Sequence, residues 1–514
     1  MSEDNKTLDY DGPGDGQSSF HPEYSGSGTS SDPYIVEFTA GDPNNPQNWS
    51  GARKWSIASL ATMAVFAVTL TSAAYSSSRQ EIVTELDANN EEFAAGISLF
   101  VVGFAIGPAL WGPLSELYGR RILFHVTMGV VVTFVAATAG CHSIAQLLVF
   151  RLLSGTFGAS PLTNSGGILS DLFNSKERGL AFAFFSTAPF LGPILGPILG
   201  GFVTITIGWR WVQGILSIFI GTVWITGLII LPETYAPVIL RRLTSDLAKK
   251  DGKSYITILE KNNVGASASE IFSKALKRPW VLLFREPIVL VAAVYLAIIY
   301  ATTYMFIPAF PIVYQQHRGW NAGIGGLAFL GIAVGMLVGL IYALFDDRRY
   351  RRLKGDITPE SRLPGSLPGA VALPIGLFAF AWTNSPSIHW SASIILSAPF
   401  GFGSVMVFLP VLNYLVDTYT IYTASVLSAA AMLRALIGAA FPLFTTQVFN
   451  NLGIHWASSI PGFLTLACLP FPFIMYKYGP ALRMKCKYAA EAALMLQQLN
   501  QKAPQANGQE SDSV

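Results

Sequence analysis

Charge is scarce along this chain. Only 12% of its 514 residues are Asp, Glu, Lys or Arg, against about 25% in an ordinary soluble domain. With a mean hydropathy of +0.45, that scarcity excludes a large water-facing surface and makes lipid the main solvent. The net charge is +2, so there is no basic field to attract nucleic acid. Cys141, Cys468 and Cys486 are far apart in sequence and form neither a disulfide framework nor a metal pattern. The six histidines, at 21, 125, 142, 317, 389 and 455, are equally scattered, unlike the clusters a membrane enzyme would need. A Gly-x-x-x-x-Gly-Lys-Ser/Thr phosphate loop is missing, which argues against direct use of ATP. Finally, no Asp or Glu stands in the middle of a long apolar stretch.

What remains is apolar and regularly spaced. A membrane helix needs about 20 mostly apolar residues. Twelve stretches meet that need: 55–77, 93–114, 122–141, 145–169, 180–202, 211–231, 287–312, 323–344, 369–382, 389–416, 424–449 and 457–476. The ninth is short and edged by proline. Six precede the polar stretch 232–286 and six follow it, so the pattern predicts an all-α membrane protein with two pseudo-symmetric six-helix bundles. The expected division is a loose tail over 1–50, a first bundle over 51–231, a middle loop over 232–286, a second bundle over 287–480 and a tail over 481–514. The first fifty residues hold nine acids and one lysine among many Gly, Ser and Pro, a composition expected to be disordered. Within the middle loop, 269–284 has the pattern of a helix lying on the membrane surface, or of a loosely packed loop helix.

Lysine and arginine cluster in alternate loops: Arg53 and Lys54, Arg120 and Arg121, Lys176 and Arg178, Arg241 and Arg242, Arg348 to Arg352, and Lys477 to Lys487. The other loops hold little more than Arg79, Arg210 and Arg318. The positive-inside rule therefore predicts cytosolic termini and a cytosolic middle loop.

Four features carry more specific chemistry. "GPLSELYGRR", Gly112 to Arg121, links spans 2 and 3, and places Glu116, Arg120 and Arg121 in a very short loop. Glu116 is expected to face a neighbouring helix N-terminus, and the arginines to pair with Asp171 at the end of span 4. Arg151 lies inside span 4 and Arg434 inside span 11. Intramembrane arginines face cavities or partners, or snorkel to the surface. "PFLGPILGPILGG", Pro189 to Gly201, repeats glycine and proline at spacing four. In lipid, Gly192, Gly196 and Gly200 form a close-packing stripe, with Pro193 and Pro197 on a weakened stripe beside it. Neighbouring spans satisfy the backbone groups that proline frees. Asp417 ends span 10 as Asp171 ends span 4, and is expected to pair with the Arg348–Arg352 cluster or to cap its helix.

These strings resemble the major facilitator superfamily. Its span 2–3 signature, Gly-x-x-x-Asp-Arg-x-Gly-Arg-Arg, is matched with Glu116 for Asp and Leu117 for the first Arg; "DDRRYRR", Asp346 to Arg352, looks like a decayed second copy. Arg151 and Gly155 match the Arg-x-x-x-Gly of span 4 that accompanies proton coupling in drug antiporters. "GPILGPILGG" resembles the span 5 antiporter motif. "GDPNNPQNWS", "LPETYAPVILRR", "YATTYMFIPAFP", "NYLVDTY" and "LRALIGAAFPLF" look like the fungal twelve-span drug:proton antiporters. The resemblance spans about residues 41 to 490. It implies a proton-driven efflux transporter for drugs, fungicides or the host's own metabolites. It needs no cofactor and works as a monomer with protons, lipid and a small amphipathic substrate as partners. The plasma membrane is the expected site, with the vacuolar membrane as the alternative. A nutrient symporter or facilitator of the same fold, or a sensor that does not transport, are the competing readings. Tyr75, Asn164, Tyr300, Tyr304, Phe408, Asn413, Phe441 and Gln447 are the candidate cavity residues, each with plain packing as its alternative. The proton carrier is unassigned; Asp171 with Arg151 and Arg121 is the nearest candidate.

Overall fold

The structure, a computed structural model, describes residues 24–39, 41–174, 177–257, 260–261, 268–352 and 358–494. Among these, ten helical stretches are long and apolar enough to cross a membrane. Two details raise the number of spans to twelve. The last stretch, Thr423–Lys485, contains two spans, because Gly453 (φ 73) breaks the helix Thr423–Cys468. Ile144–Leu172 is also long enough, at 29 residues or about 43 Å, but it carries Arg151, Ser154, Ser160, Asn164 and Ser165, which lower its hydropathy.

The spans are α1 Gly51–Ala74, α2 Asn90–Tyr118, α3 Arg120–Ala139, α4 Ile144–Leu172, α5 Arg178–Ile207 and α6 Trp209–Ile230. The second half has α7 Pro287–Phe310, α8 Leu330–Arg351, α9 Ser366–Thr383 and α10 Ala398–Thr418. Helix α11 is the part of Thr423–Cys468 before Gly453, and α12 follows it into Pro470–Lys485. Helices suit this solvent because each satisfies its own backbone, where lipid offers no partner. Their ends are marked by local chemistry. Asn89 and Glu92 form a reciprocal capping box at the start of α2, and the Ser143 side chain caps α4. Gly119 alone joins α2 to α3, at φ 94.

Packing repeats between the halves. Helix α2 lies on α4, α1 on α5, and α3 on α4; correspondingly α8 lies on α10, α7 on α11, and α9 on α10. Adding six to each number maps one bundle onto the other, as expected of a duplicated fold. The halves meet along α2 with α11 and α5 with α8, pairs that the same operation exchanges.

The end at which α1 begins and α12 finishes is called the tail side here, and the opposite end the loop side. Tyr34–Val36 (β1) pairs in parallel with Tyr255–Thr257 (β2) of the middle loop. Part of the segment expected to be loose over 1–50 is therefore ordered. Residues 1–23 of that tail, residues 495–514 of the tail expected over 481–514, and Lys176 lie outside the described residues. The middle loop contains helices Ala236–Asp251 and Ala268–Arg285. The second covers the surface helix expected over 269–284; Leu282 and Leu283 are buried while Phe284 is 72% exposed.

Candidate functional site

A cavity of about 610 Å³ lies between the bundles, within the 300–1,000 Å³ of small-molecule sites. Its walls come from α2, α4 and α5 on one side and α7, α10 and α11 on the other. Phe104, Phe182, Phe185, Tyr300, Phe408 and Leu412 make it largely apolar. It reaches the tail-side helix ends, where Glu116, Arg120, Asp171 and Asp417 line it. Inward it extends to Arg434, eleven residues into α11, or about 16 Å along the axis.

On the loop side the bundles are closed. Helix Ala322–Leu327, which leads into α8, packs on α5. A side chain added at Gly326 would meet the Pro197 carbonyl at 2.8 Å, and one at Gly201 would strike the Ala322 carbonyl. A hydroxyl bridge also crosses the interface, Ser72 Oγ of α1 lying 2.8 Å from Tyr304 Oη of α7.

Arg151 sits just behind that bridge. It is 1% exposed, so it does not snorkel. Its guanidinium donates to the carbonyls of Gly96 (2.9 Å), Thr71 (3.1 Å) and Ser72 (2.7 Å). The last two lie at the end of α1, just before the helix tightens into a 3-10 turn over Tyr75–Ser78. The Tyr75 and Phe100 rings flank it, each centred 4.5 Å away. Thus Arg151 fastens the loop-side end of α1, and through Ser72 it adjoins the contact between bundles. Gly155, one turn on, lets the α2 backbone at Phe100 come close.

Several expectations need correction. Arg151 and Asp171 do not meet: they lie twenty residues apart on α4, about 30 Å along its axis. Asp171 pairs with Arg120 at 3.4 Å, not with Arg121, which is exposed. The carboxylate at a helix N-terminus is not Glu116, which is exposed, but Glu233. It accepts from the backbone N–H groups of Arg120 (2.9 Å) and Arg121 (3.3 Å), and from those of Thr234 and Tyr235. The sequence signal for it was present in "LPETY", directly after span 6. Asp417 pairs with Arg362, just before α9, at 3.1 Å. Arg349 and Arg351 pair instead with Asp346 and Asp347 on their own helix.

The glycine stripe faces α1 of its own bundle. Side chains at Gly192, Gly196 or Gly200 would strike the α1 backbone between Thr69 and Ala74. Pro193 is buried beside it, and the Pro197 carbonyl accepts from Ser77 Oγ at 2.8 Å. The surface that meets the other bundle is the adjacent one, with Pro197 and Gly201.

Of the eight expected cavity residues, Tyr300, Phe408 and Asn413 line it. Tyr75 is spent on Arg151, stacking also on Phe93. Tyr304 is held by Ser72, and Asn164 is buried against Ser160. Phe441 packs on Phe444, and Gln447 is exposed. Composition cannot separate these, because lipid and core are equally apolar. Arg434 does line the cavity. Its charge lies 5.0 Å from the Tyr300 ring and 5.1 Å from that of Phe408. The buried carboxylates Glu233, Glu286 and Glu360 all lie at tail-side helix ends, so among the described residues no acid lies deep in the cavity.

Comparison with known proteins agrees with this architecture. The family model described as Major Facilitator Superfamily matches residues 57–442. The chain is 61% identical to the major facilitator-type transporter sorT of Penicillium rubens, over 93% of this chain and 92% of that one. It is 50% identical to the major facilitator superfamily multidrug transporter mdrA of Aspergillus fumigatus, covering 96% and 82%. It is 48% identical to the efflux pump FUB11 of Gibberella moniliformis, covering 93% and 81%. Among solved structures, the proton:xylose symporter XylE aligns with a TM-score of 0.59 over 84% of this chain and 96% of that one; at 16% identity it speaks for the fold alone. The duplicated twelve-span architecture, the closed loop side and the extent of these matches lead to one conclusion: the chain belongs to the major facilitator superfamily, as a multi-pass membrane transporter and not an enzyme.

Proposed function

We propose that the chain is a proton-coupled efflux transporter that exports amphipathic organic molecules by alternating access. The single observation carrying this is the central cavity, apolar and aromatic, reachable from the tail side and shut on the loop side. The basic residues of the tail-side loops make that side cytosolic, so this state takes substrate from the cell interior. Relatives named as an efflux pump and a multidrug transporter support the direction. The plasma membrane is the proposed location, and one chain suffices because all the cavity walls belong to it.

Export requires the loop side to open and the tail side to close. Opening breaks the Ser72–Tyr304 bridge and parts Gly201 from Ala322. Arg151 is the group we assign to coupling, because it holds the Ser72 carbonyl while the Ser72 hydroxyl makes the bridge. Arg151 keeps its own charge, so the proton is carried by another group, and the hold on α1 passes the resulting change to the contact between the bundles. Coupling in this sense is a difference in affinity between two states.

The test uses purified protein in sealed vesicles with the uncharged fluorophore N-phenyl-1-naphthylamine. An imposed pH gradient without nucleotide is expected to drive movement of the probe in the wild type. Arg151→Ala is expected to bind the probe but lose the gradient's effect. Gradient dependence unchanged in that variant would leave Arg151 as a structural clasp alone.

A further inference from the structure

We infer that the cavity selects organic anions, with Arg434 as the binding cation. The inference rests on the efflux reading and names the substrate class for the same site. Arg151 is fully buried, whereas Arg434 is half-buried in the cavity wall, and their surroundings differ. Arg151 has three carbonyl acceptors. Arg434 makes no hydrogen bond among the described residues, and its Nε is buried without an acceptor. Its neighbours are the faces of Tyr300 and Phe408. Ring faces attract a cation but do not satisfy its N–H donors.

An arginine stays charged in such a place. A cation in an apolar cavity wall with a donor left unsatisfied is costly, and an incoming anion relieves that cost. A guanidinium fits a planar carboxylate or a sulfonate through paired N–H bonds. The acids that also line the cavity do not compete. Asp171 and Asp417 sit at the mouth, each paired with an arginine, and Glu116 lies at the same level on the last turn of α2. A cationic substrate would meet Arg434 with nothing near it to offset the repulsion. Phe182, Phe185, Tyr300 and Phe408 supply apolar contact for the rest of the ligand. The volume of about 610 Å³ fits one or two fused or linked rings bearing an acidic group.

The experiment compares two probes of similar shape, 8-anilinonaphthalene-1-sulfonate and uncharged N-phenyl-1-naphthylamine. Binding is measured by energy transfer from tryptophan to the naphthalene, with the full chain in phosphatidylcholine nanodiscs, so that no anionic lipid is present. The sulfonate is expected to bind about 10- to 100-fold tighter, the range for a hydrogen bond to a charged group. Arg434→Gln should abolish that preference while keeping its affinity for the uncharged probe, which shows that the cavity is intact. Arg434→Lys should keep part of the preference. Equal affinities in the wild type, or a preference retained in Arg434→Gln, would overturn the assignment whatever the variants' stability. Export is read separately in vesicles: an uncharged probe exported without any preference for the sulfonate removes the anion site and leaves efflux standing. A clear Arg434-dependent preference with neither probe exported upholds the site and removes efflux.

Discussion

Arg151 and Glu233 show how single charges are housed in a chain with little water around it. Arg151→Ala leaves the carbonyls of Thr71, Ser72 and Gly96 without their donor. Each such loss costs about 1–3 kcal/mol when no water replaces it, so the thermal midpoint in detergent should fall by several degrees. Arg151→Lys should recover only part, because an ammonium cannot span three carbonyls as a guanidinium does. Glu233 faces the first N–H groups of α3, so Glu233→Ala should cost about 1–2 kcal/mol. Glu116→Ala, by contrast, should leave the midpoint unchanged. Equal losses in the two variants, measured by the same melt, would return the helix-capping role to Glu116. The need for a housed arginine in span 4 was readable from the sequence, but its partners were not. Backbone carbonyls of α1 and α2 carry no sequence label, and the meeting of Glu233 with α3 joins positions more than a hundred residues apart.

At the scale of helices, α5 uses two faces for two purposes. Its glycine stripe lies against the α1 backbone inside one bundle, so Gly196→Leu is expected to prevent folding and lower membrane expression; a folded, well-expressed Gly196→Leu protein would show that α1 can yield. Its Pro197–Gly201 face meets Ala322–Gly326 of the other bundle. Gly326→Val should therefore spare the fold but hold the loop side apart. With a Ser428→Cys reporter in the cavity, that variant should react faster than the parent with an impermeant thiol reagent added on the loop side. No change in rate would mean that this contact is not part of the closure. Spacing four in "GPILGPILGG" identified a close-packing face correctly, but not which helix it packs on. Small residues allow approach to any neighbour, and the choice is made by the arrangement of the whole bundle. On the tail side, the start of α5 meets Asp347 at the end of α8: a side chain added at Gly179 would strike its carboxylate.

For the whole molecule, the spans and the duplication were legible because a bilayer demands long apolar runs and offers no other way to satisfy a backbone. Ile144–Leu172 was recognisable by length although its polar residues, Arg151 among them two turns from the loop-side end, dilute its hydropathy. The cavity was less legible. The spans that line the cavity with aromatic rings are apolar on their other faces too, so no periodicity shows which side chains face the substrate; Tyr300, Phe408 and Asn413 were found, whereas Phe104, Phe182, Phe185 and Leu412 were not. In the proposed reading, the cavity, the closed loop side and the clasp at α1 work together: substrate enters from the tail side and a proton gradient drives its release. The most direct test is export in sealed vesicles under an imposed pH gradient, with nucleotide absent and a protonophore added midway. The account expects net movement of N-phenyl-1-naphthylamine that stops when the protonophore collapses the gradient. Movement that continues unchanged after its addition would contradict proton-driven efflux and make the protein a facilitator.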